Sequence, residues 1–249
     1  FASFKIPSDS MEPGLITGDN ILVWKPTIGP RIFNLFASMR NEQTEIYRIP
    51  GFKKIKRNDI LVFNFPHPNS WDKIEMHILK YYIKRCVGIP GDTLSIRNGF
   101  LHVKGIQTPL GNMDSQKRIA ATEKFQDGIF RSFPFDSIIG WNIKDLGPLY
   151  IPAKGDSVTL DRTNFRLYKK LIKWEQQGSL QYKNSTVLLN GTPINGYRFR
   201  KNYYFMAGDK GMNSQDSRYW GLLPEEYIVG KAWIIWKSVD PYTDKFRWD

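Results

Sequence analysis

Four times along the chain a small turn residue and an aspartate lead into an apolar or β-branched run. The repeats are Gly18-Asp19 before Asn20-Ile21-Leu22-Val23, Asn58-Asp59 before Ile60-Leu61-Val62-Phe63, Gly91-Asp92 before Thr93-Leu94-Ser95-Ile96, and Gly155-Asp156 before Ser157-Val158-Thr159-Leu160. Glycine and asparagine tolerate positive φ, and aspartate can bond its own backbone two residues on, so each repeat predicts a turn feeding a strand. Asn98-Gly99, between Leu94-Ser95-Ile96-Arg97 and Phe100-Leu101-His102-Val103, predicts a two-residue hairpin. Asn190-Gly191 and Asn195-Gly196 predict further tight turns, and the apolar run 228–236 predicts a long strand. The chain is expected to be mainly β.

The clearest helical spacing covers residues 164–177, where Phe165, Tyr168, Leu171, Ile172 and Trp174 share a face and Gly178 is placed to end it. Residues 32–39, after Pro26 and Pro30, fit either a small amphipathic helix or a loop that touches lipid. Residues 105–140 are rich in Gly, Pro, Ser, Asp and Gln and predict irregular connection. With the helix and the strands near 149–160 and 186–198, they are expected to form an insertion between two parts of a core.

A chain of 249 residues with 41% hydrophobic content can bury a substantial core. Its net charge of +12 favours acidic partners, either anionic lipid or nucleic acid. The basic residues are dispersed, however, and no zinc-ligand spacing, RNA-recognition motif or helix-turn-helix pattern accompanies them, so a solvated or lipid-facing surface is expected and nucleic acid is not. The single cysteine, Cys86, excludes an intrachain disulfide and reads as a buried apolar residue; His67, His77 and His102 stand in no recognisable dyad context with it. No run of 18 to 20 apolar residues is present; the sequence begins Phe1-Ala2-Ser3-Phe4, and a targeting or anchoring segment is the expectation for any residues upstream of it.

Candidate chemistry comes from three segments. Pro7-Ser8-Asp9-Ser10-Met11-Glu12-Pro13 is a turn that can present the Ser10 hydroxyl, with Ser8 close enough to act with the Ser10 amide as an oxyanion donor. Taken alone, a serine in such a Pro-rich loop is ordinarily just a turn residue. Lys84 lies in the apolar run Tyr81-Tyr82-Ile83-Lys84-Arg85-Cys86-Val87-Gly88. Lysine is a base only when neutral, and lowering its pKa by two to three units costs about 3 to 4 kcal/mol of differential solvation, which apolar burial can supply. Alternation alone also allows Lys84 the wet face of a half-exposed strand. The third segment, 208–221, is a Gly-, Asn-, Asp- and Ser-rich loop in which Asp216 and Arg218 can pair and Ser214 can orient the lysine amine.

These segments, in this order and together with the strands after Asp59 and Asp92, resemble the type I signal peptidases, the bacterial leader peptidases of the Ser-Lys class. The match covers residues 1–104 and 198–239. The resemblance implies a signal-peptidase-like catalytic β core with an inserted, variable second domain containing a short helix. It divides the chain into a discontinuous core, 1–104 and 198–249, and an insertion, 105–197. By position it makes Ser10 the nucleophile, Lys84 the general base, Ser8 the oxyanion-hole hydroxyl and Ser214 the group that orients Lys84, with Asp216 and Arg218 as a structural ion pair. It further implies shallow substrate pockets lined by Ile6, Met11, Leu15, Tyr82, Ile83 and Met206, for small side chains such as alanine. No metal or other cofactor is implied. Implied partners are exported preproteins, the lipid surface and the protein-export translocon, with the domain on the outer face of the cytoplasmic membrane. Phe33, Phe36, Phe63, Phe65 and Trp71 are candidates for lipid contact or for core packing. The family loop usually reads Gly-Asp-Asn-Arg-Asp-Asn-Ser, whereas this chain has Gly208-Asp209-Lys210-Gly211-Met212-Asn213-Ser214. That departure keeps open a catalytically inactive relative that binds a membrane surface or nucleic acid.

Overall fold

In a computed structural model of the chain, which describes residues 1–33 and 46–247, all four turn-to-strand repeats share one closure. The residue before each aspartate has positive φ: Gly18 at 97°, Asn58 at 70°, Gly91 at 90° and Gly155 at 97°. The carboxylate then reaches back three residues rather than forward two. It accepts from the N–H of Ile16 and Lys56 at 2.9 Å, Ile89 at 2.9 Å and Ala153 at 2.8 Å. Each aspartate N–H also donates to the carbonyl of that same residue, at 3.1 to 3.2 Å. A tight turn closed twice in this way starts a strand in a defined direction.

Seven strands form the large antiparallel sheet: β1 (Ala2–Lys5), β2 (Asp19–Trp24), β3 (Ile60–Asn64), β4 (Tyr81–Gly88), β5 (Tyr203–Ala207), β6 (Leu223–Pro224) and β7 (Ile228–Ser238). Their spatial order is β1-β2-β7-β3-β4-β5-β6. The long strand β7 pairs first with β3 and then, through register shifts, with β2. Leu61 and Phe63 enter one apolar cluster, with Cys86, Phe205 and Trp220, and Val62 enters another, with Ile6, Met11, Leu15, Ile21, Val23 and Val229. Alternation along β3 therefore serves a core on each face. Phe63 and Phe65 belong to that core, with 0% and 2% exposure, so neither is available to lipid. Trp71 packs against it, Phe33 is half-buried, and Phe36 lies outside the described residues, as does most of segment 32–39.

Between Gly88 and Tyr203 the chain leaves this sheet. Thr93–Arg97 pairs with Phe100–Val103 and Leu146–Tyr150, Ser157–Thr159 with Gly196–Arg198, and Leu180–Lys183 with Thr186–Leu189 and on to Thr192–Ile194. The Asn98-Gly99 hairpin is as expected, with φ of 47° and 83°. Two helices lie in this region, α1 (Met113–Ala121) and α2 (Arg162–Gln176). A third, α3 (Ser217–Trp220), follows β5. Helix α2 matches the apolar spacing, but Asp161 caps it by accepting from Asn164 N–H at 2.7 Å, and the left-handed residue at its end is Gln177, not Gly178. Helix α1 stands where irregular chain was expected. It buries only Ser115, Gln116 and Ile119, too few apolar positions to leave a period in the sequence, and its start is set by Asn112, which accepts from Ser115 N–H at 2.8 Å. Among the described residues no helix is long and apolar enough to cross a membrane.

Candidate active site

The turn before β2 and the middle of β4 meet. Lys84 Nζ donates to Ser10 Oγ at 2.6 Å, and Ser8 Oγ lies 3.4 Å from the same oxygen. Lys84 is 5% exposed and Ser10 9%. Lys84 stands opposite Leu61 in the register, on the side of the sheet that carries Phe63 and Cys86, which is why it is buried rather than wet. The Tyr82 ring lies 5.6 Å from Nζ. Burial pushes the Lys84 ammonium down from 10.5 to about 8; Asp216 opposes this most, Arg218 adds to it, and Asp209 and Asp9 oppose it further. Among the described residues no carboxylate is bonded to Nζ, so the amine loses hydration without gaining a counter-ion. At pH 7 about one lysine in ten is then neutral, against fewer than one in a thousand at its ordinary value.

Behind the dyad, Arg218 donates to Asp216 through Nε at 2.8 Å and a terminal nitrogen at 2.7 Å, and to Gly211 O at 2.8 Å. Asp216 also accepts from Gly208 N–H at 2.8 Å. Burial alone would raise the Asp216 carboxyl, but the Arg218 guanidinium holds it below its usual range. Ser214 Oγ is buried without a well-formed hydrogen bond, although it lies near enough to Asp216 to favour its ionised form. It packs against Gly208, where a Cβ would come within 2.0 Å of it. No bond joins it to Lys84. A second pair, Arg85 to Asp209 at 2.5 and 2.7 Å, fixes β4 to the beginning of the same loop.

A family model described as signal peptidase, peptidase S26, matches residues 1–237. This chain belongs to that family. A signal peptidase I of Buchnera aphidicola subsp. Baizongia pistaciae is 32% identical over 94% of this chain and 68% of its own length. One from Pseudomonas aeruginosa is 29% identical over 94% of this chain and 64% of its own. A crystal structure of a signal peptidase I from Enterococcus faecalis V583, covering 73% of this chain and 98% of its own, is similar only at a TM-score of 0.35 and 19% identity, too loose a match to bear on the fold. Membership in the S26 family makes the chain a serine peptidase, a hydrolase.

The S26 loop departure has a visible structural counterpart. At Gly211 a Cβ would stand 2.8 Å from both Ile119 Cδ1 and Ser115 Oγ of α1, so a side chain here, such as the arginine usual in the family, requires both of these to shift. In return Ser115 Oγ accepts the Gly211 N–H at 2.6 Å, both buried. Lys210 reaches the serine turn instead, donating to Asp9 at 2.5 Å and Glu12 at 3.0 Å. The sequence marks residues 210–212 as a departure from the family loop but gives no sign of a role for Lys210 or Ser115. Their partners lie about 200 and 100 positions away, and no local pattern links them.

Of the residues expected to line substrate pockets, Ile6, Met11, Leu15 and Met206 are buried, whereas Tyr82 and Ile83 keep exposed surface. Tyr82 also donates to Gln215 Oε1 at 2.8 Å and stacks on Phe65, with ring centroids 4.4 Å apart. Cys86 is fully buried and its thiol is pushed up by that burial. The His67 imidazole is pushed down to about 4 by burial and sits 2.6 Å from Lys73 O. Neither contacts Ser10. Among the described residues no group of side chains is arranged to hold a metal ion.

Proposed function

We propose that this protein removes N-terminal signal peptides from exported preproteins, with Ser10 as nucleophile and Lys84 as general base. The observation that carries the reading is the 2.6 Å contact between a buried lysine amine and the Ser10 hydroxyl. Neutral Lys84 takes the Ser10 proton as Oγ attacks the scissile carbonyl. The Ser10 amide and Ser8 Oγ receive the oxyanion, and protonated Lys84 then donates to the leaving amine. The same lysine activates the water that hydrolyses the acyl-enzyme. Ser214, packed between Gly208 and Asp216, keeps the orienting role as part of this proposal, acting through the shape of the loop.

Strand pairing supports the way substrate enters. Strand β5 pairs with Arg85, Cys86 and Gly88 but not with Tyr81 to Lys84, so that half of β4 has an edge with no strand beside it among the described residues. The other edge of β1 is likewise unpaired, and Phe4 of β1 meets Tyr81 edge-on at 4.9 Å. An extended peptide adds between them by backbone bonding and brings its carbonyl to Ser10. Walls of Ile6, Met11, Leu15 and Met206 packed from behind leave shallow surfaces, suited to alanine at alternate positions.

The core of 1–104 with 198–249 and the insertion of 105–197 are part of the same proposal, and the strand pairing favours a first seam nearer Gly88 than residue 104. So is a location on the outer face of the cytoplasmic membrane, next to the lipid surface and the export translocon. The exposed side chains of Phe1, Trp233 and Trp236 offer that surface apolar contact. The test is cleavage of a preprotein with an Ala-x-Ala site. Ser10→Ala and Lys84→Ala should each abolish it with folding intact, and the acid limb of kcat/KM should lie near 8. Turnover at the wild-type level by either variant would sink the assignment.

A further inference from the structure

We propose that Lys210 is a positioning residue for the reaction: it clamps both carboxylates of the Ser10 turn and neutralises Asp9 beside the nucleophile. The inference rests on the Ser10-Lys84 reading and deepens it. Lys210 Nζ donates to Asp9 Oδ2 at 2.5 Å and to Glu12 Oε2 at 3.0 Å, one carboxylate on each side of Ser10. The Lys210 N–H donates to the carbonyl of Ser10 itself at 3.0 Å. Asn213, at the other end of the short 3-10 turn Gly211–Asn213, donates to both Asp9 oxygens at 3.0 and 3.1 Å. The turn closes on itself through Glu12 N–H to Asp9 O at 3.0 Å. A single residue of the distant loop thus holds the serine turn by its backbone and by one side chain that reaches two carboxylates.

Lys210, Asp9 and Glu12 keep 38%, 34% and 35% of their side-chain surface exposed. Pairs at such exposure add little to stability. Their effect falls on geometry and charge. A misplacement of about 1 Å in a reacting group costs on the order of a hundredfold in rate. An unscreened carboxylate next to Ser10 would oppose the developing oxyanion and favour the protonated amine. The charged groups acting on Lys84 are Asp216, Asp209 and Asp9, which raise its pKa, and Arg218, which lowers it, with the Tyr82 ring also facing Nζ. Asp9 is the one among them that Lys210 pairs.

The experiment measures kcat, KM and pH profiles on the Ala-x-Ala preprotein. Lys210→Met should lower kcat by about tenfold with KM little changed and move the acid limb upward, and Lys210→Arg should restore both. Adding Asp9→Asn to Lys210→Met should bring the limb back down. Salt at molar concentration should slow the wild type but not Lys210→Met, whose unpaired Asp9 charge it screens. A Lys210→Met enzyme with wild-type kcat and an unmoved limb would overturn the proposal, as would an arginine that restores neither. Lys84→Met, assayed alongside, keeps the two readings apart: if it turns over like the wild type the dyad fails, whatever Lys210 does.

Discussion

Lys84 and Arg218 are buried cations of one site, 5% and 4% exposed, and they meet burial in opposite ways. Arg218 has a carboxylate in fork geometry and a carbonyl, so its charge is met directly by hydrogen-bonded partners. Lys84 has a hydroxyl and an aromatic ring, while its carboxylates act only from a distance. The first arrangement keeps the charge and builds the loop. The second makes the charge costly and so yields a base near neutral pH. Arg218 also lowers the Lys84 value, so the structural cation helps to activate the reactive one.

Breaking the matched pair should have the largest effect. Arg218→Met leaves Asp216 buried without its partner and should cost about 3 to 5 kcal/mol in chemical unfolding, with cleavage lost as the loop moves. A loss below about 1 kcal/mol would mean that water replaces the guanidinium.

Removing the unmatched cation should have the opposite sign. Between about 8 and 10.5 the unfolded chain holds the Lys84 proton and the folded chain does not, so stability rises with pH across that window. Below it the folded state carries the full penalty. Lys84→Met should therefore unfold about 3 kcal/mol later than wild type at pH 7, and this gain should shrink as pH passes through the window to 10.5. A Lys84→Met protein less stable than wild type at pH 7 would show that the amine contributes to the fold.

The smallest expected effect concerns the loop that both cations share. Ser115→Ala strands the buried Gly211 N–H and should cost about 1 to 3 kcal/mol in thermal unfolding, with the acid limb still near 8. Wild-type stability in that variant would show that α1 merely covers the loop.

Much of this was legible before any coordinates. The four turn-to-strand repeats, the Asn98-Gly99 hairpin and helix α2 are local, and local signals survive in sequence because φ preferences and side-chain periods act over a few residues. The direction of the aspartate closure is not local information, since a carboxylate can bond forward or back and only the turn geometry chooses. Helix α1 escaped because three buried positions in a polar stretch leave no periodic mark.

By itself the sequence determined a mainly β chain and the blocks, in family order, that carry Ser10, Lys84 and the Ser214 loop. It left open whether Lys84 was wet or buried, because alternation along a strand names two faces without saying which is dry. The tertiary structure decided that by placing Lys84 opposite Leu61 on a core face and bringing it 2.6 Å from Ser10. It also decided the clamp of Lys210 on Asp9 and Glu12 and the fit of Ser115 to Gly211. Such contacts join residues about 100 to 200 positions apart, so they exist only once the sheet has closed and its loops have met.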